Sequence, residues 1–144
     1  MTVITEAVAF SAFIYDEQID NFGQPRVFHA LRVMESVRAQ GAPDHVIAAA
    51  VLHDVLEHGD ADRALVAATF GDEIAQIVWC VSRREGEPIE RFDARCGTFA
   101  ETKLIRRADL HDKLSQLPLD PEEDSDLQKA QRDKATKSLM RLPA

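Results

Sequence analysis

Residues Ala48 to Asp60 read AAAVLHDVLEHGD, a run of Ala, Val and Leu that has the look of a buried helix face yet takes in His53, Asp54, Glu57 and His58. Ionisable groups on a buried surface are costly unless they are paired or bound to a metal. Either this face is open to solvent, or something is bound to it. Helical positions three and four apart share a side. His53 and Glu57 are four apart, Asp54 and Glu57 three, and Asp54 and His58 four, so all these groups are expected on one broad side of a helix. Such a side can meet a single metal ion. Imidazole and carboxylate are the ligand types of Mn, Fe, Zn or Ni and leave room for water or phosphate. The His-Asp dipeptide alone proves little, because it recurs as His111-Asp112. A histidine satisfied by a neighbouring carboxylate reads as well.

Working outward, the 144 residues fit one domain, taken here as 1–144, long enough to bury a core without disulfides or a structural metal. A metal would then be suspected of function first. Hydrophobic residues at 45% and charged residues at 29% are the balance of an ordinary globular protein and argue against disorder. Cys80 and Cys96 match no metal knuckle or redox pair and read as reduced thiols of a cytoplasmic protein. The net charge of -8 argues against a nucleic-acid polymer as partner. A small phosphorylated substrate stays open, because a metal cation reverses the local field. Glu6 interrupts the apolar N-terminus and no Lys or Arg precedes it, so no signal peptide is expected. No run approaches the length of a membrane span.

Glycines and prolines fall between periodic segments, which predicts an all-α chain. Helices are expected over 5–18, 26–40, 44–57, 61–70, 72–84, 99–117 and 121–142, with Gly59 capping the third. Residues 83–97 read as a loop with at most one turn. The last helix, rich in alternating charge, reads as solvated. Trp79 is expected in the core and Tyr15 in packing rather than chemistry, while the arginines at 26, 32, 83, 84, 106 and 107 include candidate phosphate contacts but read mostly as surface residues.

The chemistry-bearing motifs come in a definite order. Gln18-Ile19-Asp20-Asn21-Phe22-Gly23-Gln24-Pro25 precedes His29-Ala30-Leu31-Arg32-Val33; Ala50-Val51-Leu52-His53-Asp54-Val55-Leu56-Glu57-His58 follows. Then come Phe70-Gly71-Asp72, Val81-Ser82-Arg83 and finally Arg106-Arg107-Ala108-Asp109-Leu110-His111-Asp112-Lys113-Leu114. From Tyr15 to Leu117 this resembles the HD-domain metal-dependent phosphohydrolases, in particular small hydrolases similar to the (p)ppGpp hydrolase half of RelA/SpoT proteins.

The resemblance implies an all-α HD-domain helical bundle in which His29, His53, Asp54 and Asp109 hold one divalent metal. Manganese is the expected ion, with Fe, Ni, Zn or Co compatible. It also implies Glu57 beside the attacking water and His58 at the neighbouring catalytic position. Asn21 and Lys113 fall where the family touches substrate. Three departures stand out: Asn21 replaces a Lys, His58 an acidic residue, and Lys113 an Asn. The implied activity is hydrolysis of a phosphate or pyrophosphate ester of a nucleotide, with the 3′-pyrophosphate of (p)ppGpp as the specific expectation. The alternatives are a nucleotide phosphatase of other specificity and a catalytically weak metal- or nucleotide-binding regulatory module. His111, two residues from Asp109, falls nearly opposite it on a helix, so the second dipeptide is expected to carry no function.

Overall fold

Val46 to Val51 is buried on every side, and a helix apolar all round must sit at the centre of its fold. In the computed structural model, which describes residues 1–58 and 61–144, this segment belongs to helix α3 (Asp44–Val51). The side chain of His58, like Gly59 with its expected cap, lies outside the described residues. Helices α1 (Val3–Ile14) and α2 (Arg26–Ala39) pack against α3, as does α6 (Asp72–Cys80), which follows α5 (Arg63–Phe70). Helix α8 (Ala100–Ser115) lies on α2 and carries α9 (Asp126–Arg141) on its other side. The described residues contain no strand beyond one isolated bridge between Ile19 and Pro25, so the all-α expectation holds. No helix among them is long and apolar enough to cross a membrane.

The expected third helix over 44–57 is in fact two. Helix α3 ends at Val51, residues 52–54 form a turn, and a short helix α4 spans Val55–His58. A continuous helix would pair the Ala50 carbonyl with the Asp54 N–H and the Val51 carbonyl with the Val55 N–H. Side chains take those partners instead. His53 Nδ1 donates to the Ala50 carbonyl at 2.7 Å, and the Asp54 N–H donates to the Tyr15 hydroxyl at 3.1 Å. That hydroxyl donates in turn to the Val51 carbonyl at 3.4 Å, which also accepts from Ser11 Oγ at 3.1 Å. Val55 N falls back on Leu52 O at 3.0 Å. His53 and Asp54 thus sit on a buried turn rather than along one side of a helix. Tyr15, expected only to pack, is 2% exposed and pins this turn through both roles of its phenol.

Three further expectations are corrected. Residues 83–97 are not a loop, since helix α7 (Ile89–Cys96) starts behind Pro88. Its inner face holds Phe92 and Cys96, but the fully buried Asp93 hides that spacing in the sequence. The last segment begins with a 3₁₀ turn (Pro121–Glu123), and α9 starts only after Ser125, which forms a capping box with Gln128. Far from being solvated throughout, α9 buries Ala135 and Ser138. Trp79, expected in the core, is 37% exposed, with the Arg84 guanidinium 3.9 Å from its ring centroid.

Replacing Tyr15 with Phe keeps the ring but strips the Asp54 N–H of its acceptor. The buried donor left behind should cost about 1–2 kcal/mol, read as a lower urea midpoint at unchanged slope. An unchanged midpoint would mean that the turn does not depend on this phenol.

Candidate metal centre

Helix α2 begins where a loop hands it over in a fixed direction. The Asp20 carboxylate accepts from the Phe22 N–H at 2.8 Å and the Gln24 N–H at 3.0 Å, closing an Asx turn. Gly23 follows at φ +77°, a conformation that side chains resist. The loop turns Asn21 and Phe22 toward a cavity of about 210 Å³, and α2 brings in His29 one turn after Pro25.

His29 Nδ1 lies 2.6 Å from Asp112 Oδ2, and its Nε2 lies 2.9 Å from Asp109 Oδ1, both carboxylates coming from α8. His53 arrives from the turn between α3 and α4. Since a carbonyl only accepts, its hydrogen bond to Ala50 puts the proton on Nδ1 and points the Nε2 lone pair inward. That Nε2 is buried with no hydrogen bond, 3.3 Å from Asp54 Oδ2 and 3.6 Å from Asp109 Oδ1. The donor atoms of His29, His53 and Asp109 all lie within 4.8 Å of one another. Asp54 borders the group, its Oδ2 also 3.9 Å from His29 Nε2.

Acceptor atoms facing one another in a buried space need a cation between them. Two imidazole nitrogens and carboxylate oxygens are a donor set for a divalent transition metal, so the residues fit such an ion. Without it, protons take the place. Burial opposes charge on His29, but the Asp109 and Asp112 hydrogen bonds outweigh it and raise its pKa above the usual 6.5. His53 is raised further, again against burial, by Asp54 and Asp109. Burial disfavours ionised Asp54 and Asp109 too, yet His53 beside Asp54, and Lys113 with both histidines around Asp109, hold them below the usual carboxylate range.

The second dipeptide, expected to be idle, is half functional in its contacts. His111 is exposed, but Asp112 orients His29 and is itself gripped by Arg32, with Nε at 2.7 Å and an Nη at 3.1 Å. Arg106, expected at the surface, is 5% exposed. It donates from Nη1 to Asp109 Oδ2 at 2.9 Å and makes two bonds, at 3.1 and 3.0 Å, to Asp93 Oδ1 on α7. The other Asp93 oxygen accepts from Ser138 Oγ at 2.7 Å and Arg141 at 3.0 Å, both on α9. Nothing in apolar periodicity announces such a chain of buried ion pairs. The spacing of Asp109 and Asp112, one helical turn, was the available signal for the latter.

The remaining expected residues fall as follows. Glu57 is exposed, lines the cavity and accepts a hydrogen bond from the Arg83 backbone N–H. Asn21 and Lys113 line the same cavity, and Lys113 Nζ is 3.3 Å from Asp109 Oδ1. The His58 side chain lies outside the described residues. Arg26, Arg83 and Lys134 join Arg106 and Lys113 on the cavity wall, so an acidic protein presents a cationic rim around its donor cluster.

Residues 7–118 match the HD-domain family, more than half of the chain. The chain belongs to the HD-domain family. Over 105 residues it is 29% identical to a probable guanosine-3′,5′-bis(diphosphate) 3′-pyrophosphohydrolase of Synechocystis sp., covering 73% of this chain and 13% of that protein. Over 80 residues it is 31% identical to the Aquifex aeolicus guanosine-3′,5′-bis(diphosphate) 3′-pyrophosphohydrolase, covering 56% of this chain and 12% of the relative. The aligned stretch is thus a small part of either relative. Among solved structures, the fold is shared with a metazoan ortholog of SpoT described as hydrolysing ppGpp and playing a role in starvation responses (TM-score 0.78, 23% identity, 96% of this chain and 86% of that one). It is shared also with a Listeria monocytogenes EGD-e protein (TM-score 0.61, 24% identity, 80% and 84%). The HD-domain match ends at residue 118, so the Ser138 and Arg141 contacts to Asp93 come from beyond it.

If this cluster holds the metal, protein purified without chelator should carry a near-stoichiometric transition metal by elemental analysis. His53→Ala should lose it and His111→Ala should keep it. Asp112→Asn should weaken binding by about ten- to a hundredfold, as for other groups that orient a metal-binding histidine. Equal metal content in all of these proteins would contradict the assignment.

A pH dependence follows from the same protons. The raised histidine pKa values keep the metal-free imidazoles protonated above their usual 6.5, so metal must displace protons there. Apparent metal affinity measured by competition titration should therefore already fall with falling pH in the range above the ordinary histidine value of about 6.5. A flat profile over that range would contradict the proton-filled cluster.

Proposed function

We propose that residues 1–144 work as one metal-dependent phosphohydrolase unit acting on a nucleotide, with the 3′-pyrophosphate of guanosine-3′,5′-bis(diphosphate) as the substrate group. The observation that carries this reading is the cavity in which a histidine and carboxylate donor cluster is ringed by arginine and lysine. The cluster suits a cation and the rim suits phosphate oxygens, and the two together suit a phosphoryl group. The curated relatives, named for this hydrolysis, support the finer choice of substrate.

In this reading His29, His53, Asp54 and Asp109 hold the metal, manganese by family resemblance. A divalent ion there supplies Lewis acidity and lowers the pKa of water. The chain's own residues do the rest. Arg26 and Lys113 face the cavity and balance the charge of the phosphoryl oxygens. Lys113 takes over the cation that the family carries at position 21, where this chain has Asn21 on the same cavity wall. Glu57 accepts the proton of the attacking water, its carboxylate held by the Arg83 N–H. Water forms a bond to phosphorus as the bond to the leaving oxygen breaks, and that oxygen departs with the electron pair. His58 follows Glu57 in the chain and carries the remaining catalytic role.

A phosphate- and pyrophosphate-release screen across nucleotides with added Mn²⁺ tests this. Guanosine-3′,5′-bis(diphosphate) should be turned over with release of pyrophosphate. Glu57→Gln should retain the metal while kcat falls by about a hundredfold or more. Binding of nucleotide with no release from any of them would make the protein a binding module, and loss of metal from Glu57→Gln would make that residue a ligand.

A further inference from the structure

A second cavity, of about 440 Å³, is lined from α5, α6, α7 and the start of α8. Among the described residues it has no lining residue in common with the cavity at the donor cluster. Consecutive arginines part company between the two: Arg83 lines the donor-cluster cavity and Arg84 this one. The volume falls in the range of small-molecule sites, about 300–1,000 Å³. Two large aromatic side chains stand open in the wall. Trp79, near the end of α6, is 37% exposed, and Phe99, just before α8, is 55% exposed. Rings left in contact with water favour whatever covers them.

Two guanidinium groups lie over the Trp79 ring, that of Arg84 at 3.9 Å from its centroid and that of Arg63 at 5.1 Å. Neither makes an ion pair among the described residues. Arg84 donates to the Trp79 and Ser82 carbonyls, while the Glu87 carboxylate is held by both Nη atoms of Arg95. Burial and the like charge of Arg95 press the Arg84 pKa down, against Glu87. The two acidic groups in the wall are otherwise placed: Glu73 faces His45 at 3.2 Å, and Glu101 is exposed in the first turn of α8. Cations drawn together without a counter-ion repel one another, and an anion beside them relieves that repulsion. A guanidinium also offers paired N–H donors to carboxylate or phosphate oxygens. The open rings match a flat apolar partner and the arginines match an anion, so one molecule carrying both satisfies both.

We propose that this cavity is a second ligand site, taking a small molecule that joins a planar aromatic ring to an anionic group. The ring covers Trp79 and Phe99, and the oxygens of the anion accept hydrogen bonds from Arg63 and Arg84. Aromatic carboxylates and nucleoside monophosphates share this chemistry. The ligand is distinct from the group that reacts at the donor cluster, because none of the residues around that cluster reaches this cavity. The site is independent of what that centre hydrolyses.

Trp79 is the single tryptophan of the chain, so its fluorescence reads the site directly. The intact protein is titrated with cinnamate and with adenosine 5′-monophosphate, and in parallel with their uncharged counterparts cinnamamide and adenosine. At least one anion should change the Trp79 emission saturably at or below millimolar concentration, and its uncharged counterpart should bind about tenfold more weakly. Arg63→Gln changes an exposed side chain, leaves the loop bonds of Arg84 in place and should weaken the anion about tenfold. Phe99→Ala should weaken it about fivefold. Lys137→Gln, an equal loss of charge at a residue 60% exposed on α9, should match wild type. A response to cinnamate alone or to the nucleotide alone supports the site and assigns its ligand to that source. No saturable change with either anion, equal affinity in wild type, Arg63→Gln and Phe99→Ala, or equal affinity for charged and uncharged forms would overturn it.

Discussion

The Asp109 carboxylate is almost wholly removed from water, and a buried charge of this kind stands only if its neighbours answer it. They do so from every side. His29 comes from α2, His53 from the turn after α3, Lys113 from the next turn of α8, and Arg106 from the preceding one. Each of those partners needs partners of its own. Asp112 and Arg32 answer His29, the Ala50 carbonyl answers His53, and Asp93 answers Arg106. The helices are therefore placed by a chain of charge compensation as well as by apolar packing, and the centre of that chain is the donor cluster.

This explains the part played by α9. The helix contributes few apolar residues to the core, but Ser138 and Arg141 satisfy the second oxygen of Asp93. With Arg106 on the first oxygen, Asp93 passes the position of α9 on to a donor in the cavity. A purely hydrophobic seam would permit the two helices to slide; hydrogen bonds at fixed angles fix their register.

Much of the fold and of the donor set was legible in the sequence because both are written in residue types at regular spacing. The apolar spacing of α2, α6 and α8 shows in the sequence, and so does the order His29, His53-Asp54, Asp109. What escaped was decided by side chains competing with the backbone or pairing with each other. The break between α3 and α4 depends on a phenol 39 residues away from Asp54, which no local pattern encodes. Helix α7 was hidden because a buried Asp93 reads as a surface charge, and Arg106 was misplaced for the same reason. Asp112 was discounted along with His111, although neighbours on a helix face different ways. Lys134 carries no signal at all in a helix of alternating charge.

Lys113 gives the centre a resident counter-ion. Its ammonium sits 3.3 Å from Asp109 Oδ1, and Arg106 occupies the other oxygen at 2.9 Å. An ion entering the cluster does not meet bare negative charge; it must outbid a lysine and the protons on two imidazoles. Hard ions such as Mg²⁺ hold their water tightly and gain little from nitrogen donors. The lysine and the imidazole protons together are the charge that any divalent ion would have to displace to be held there.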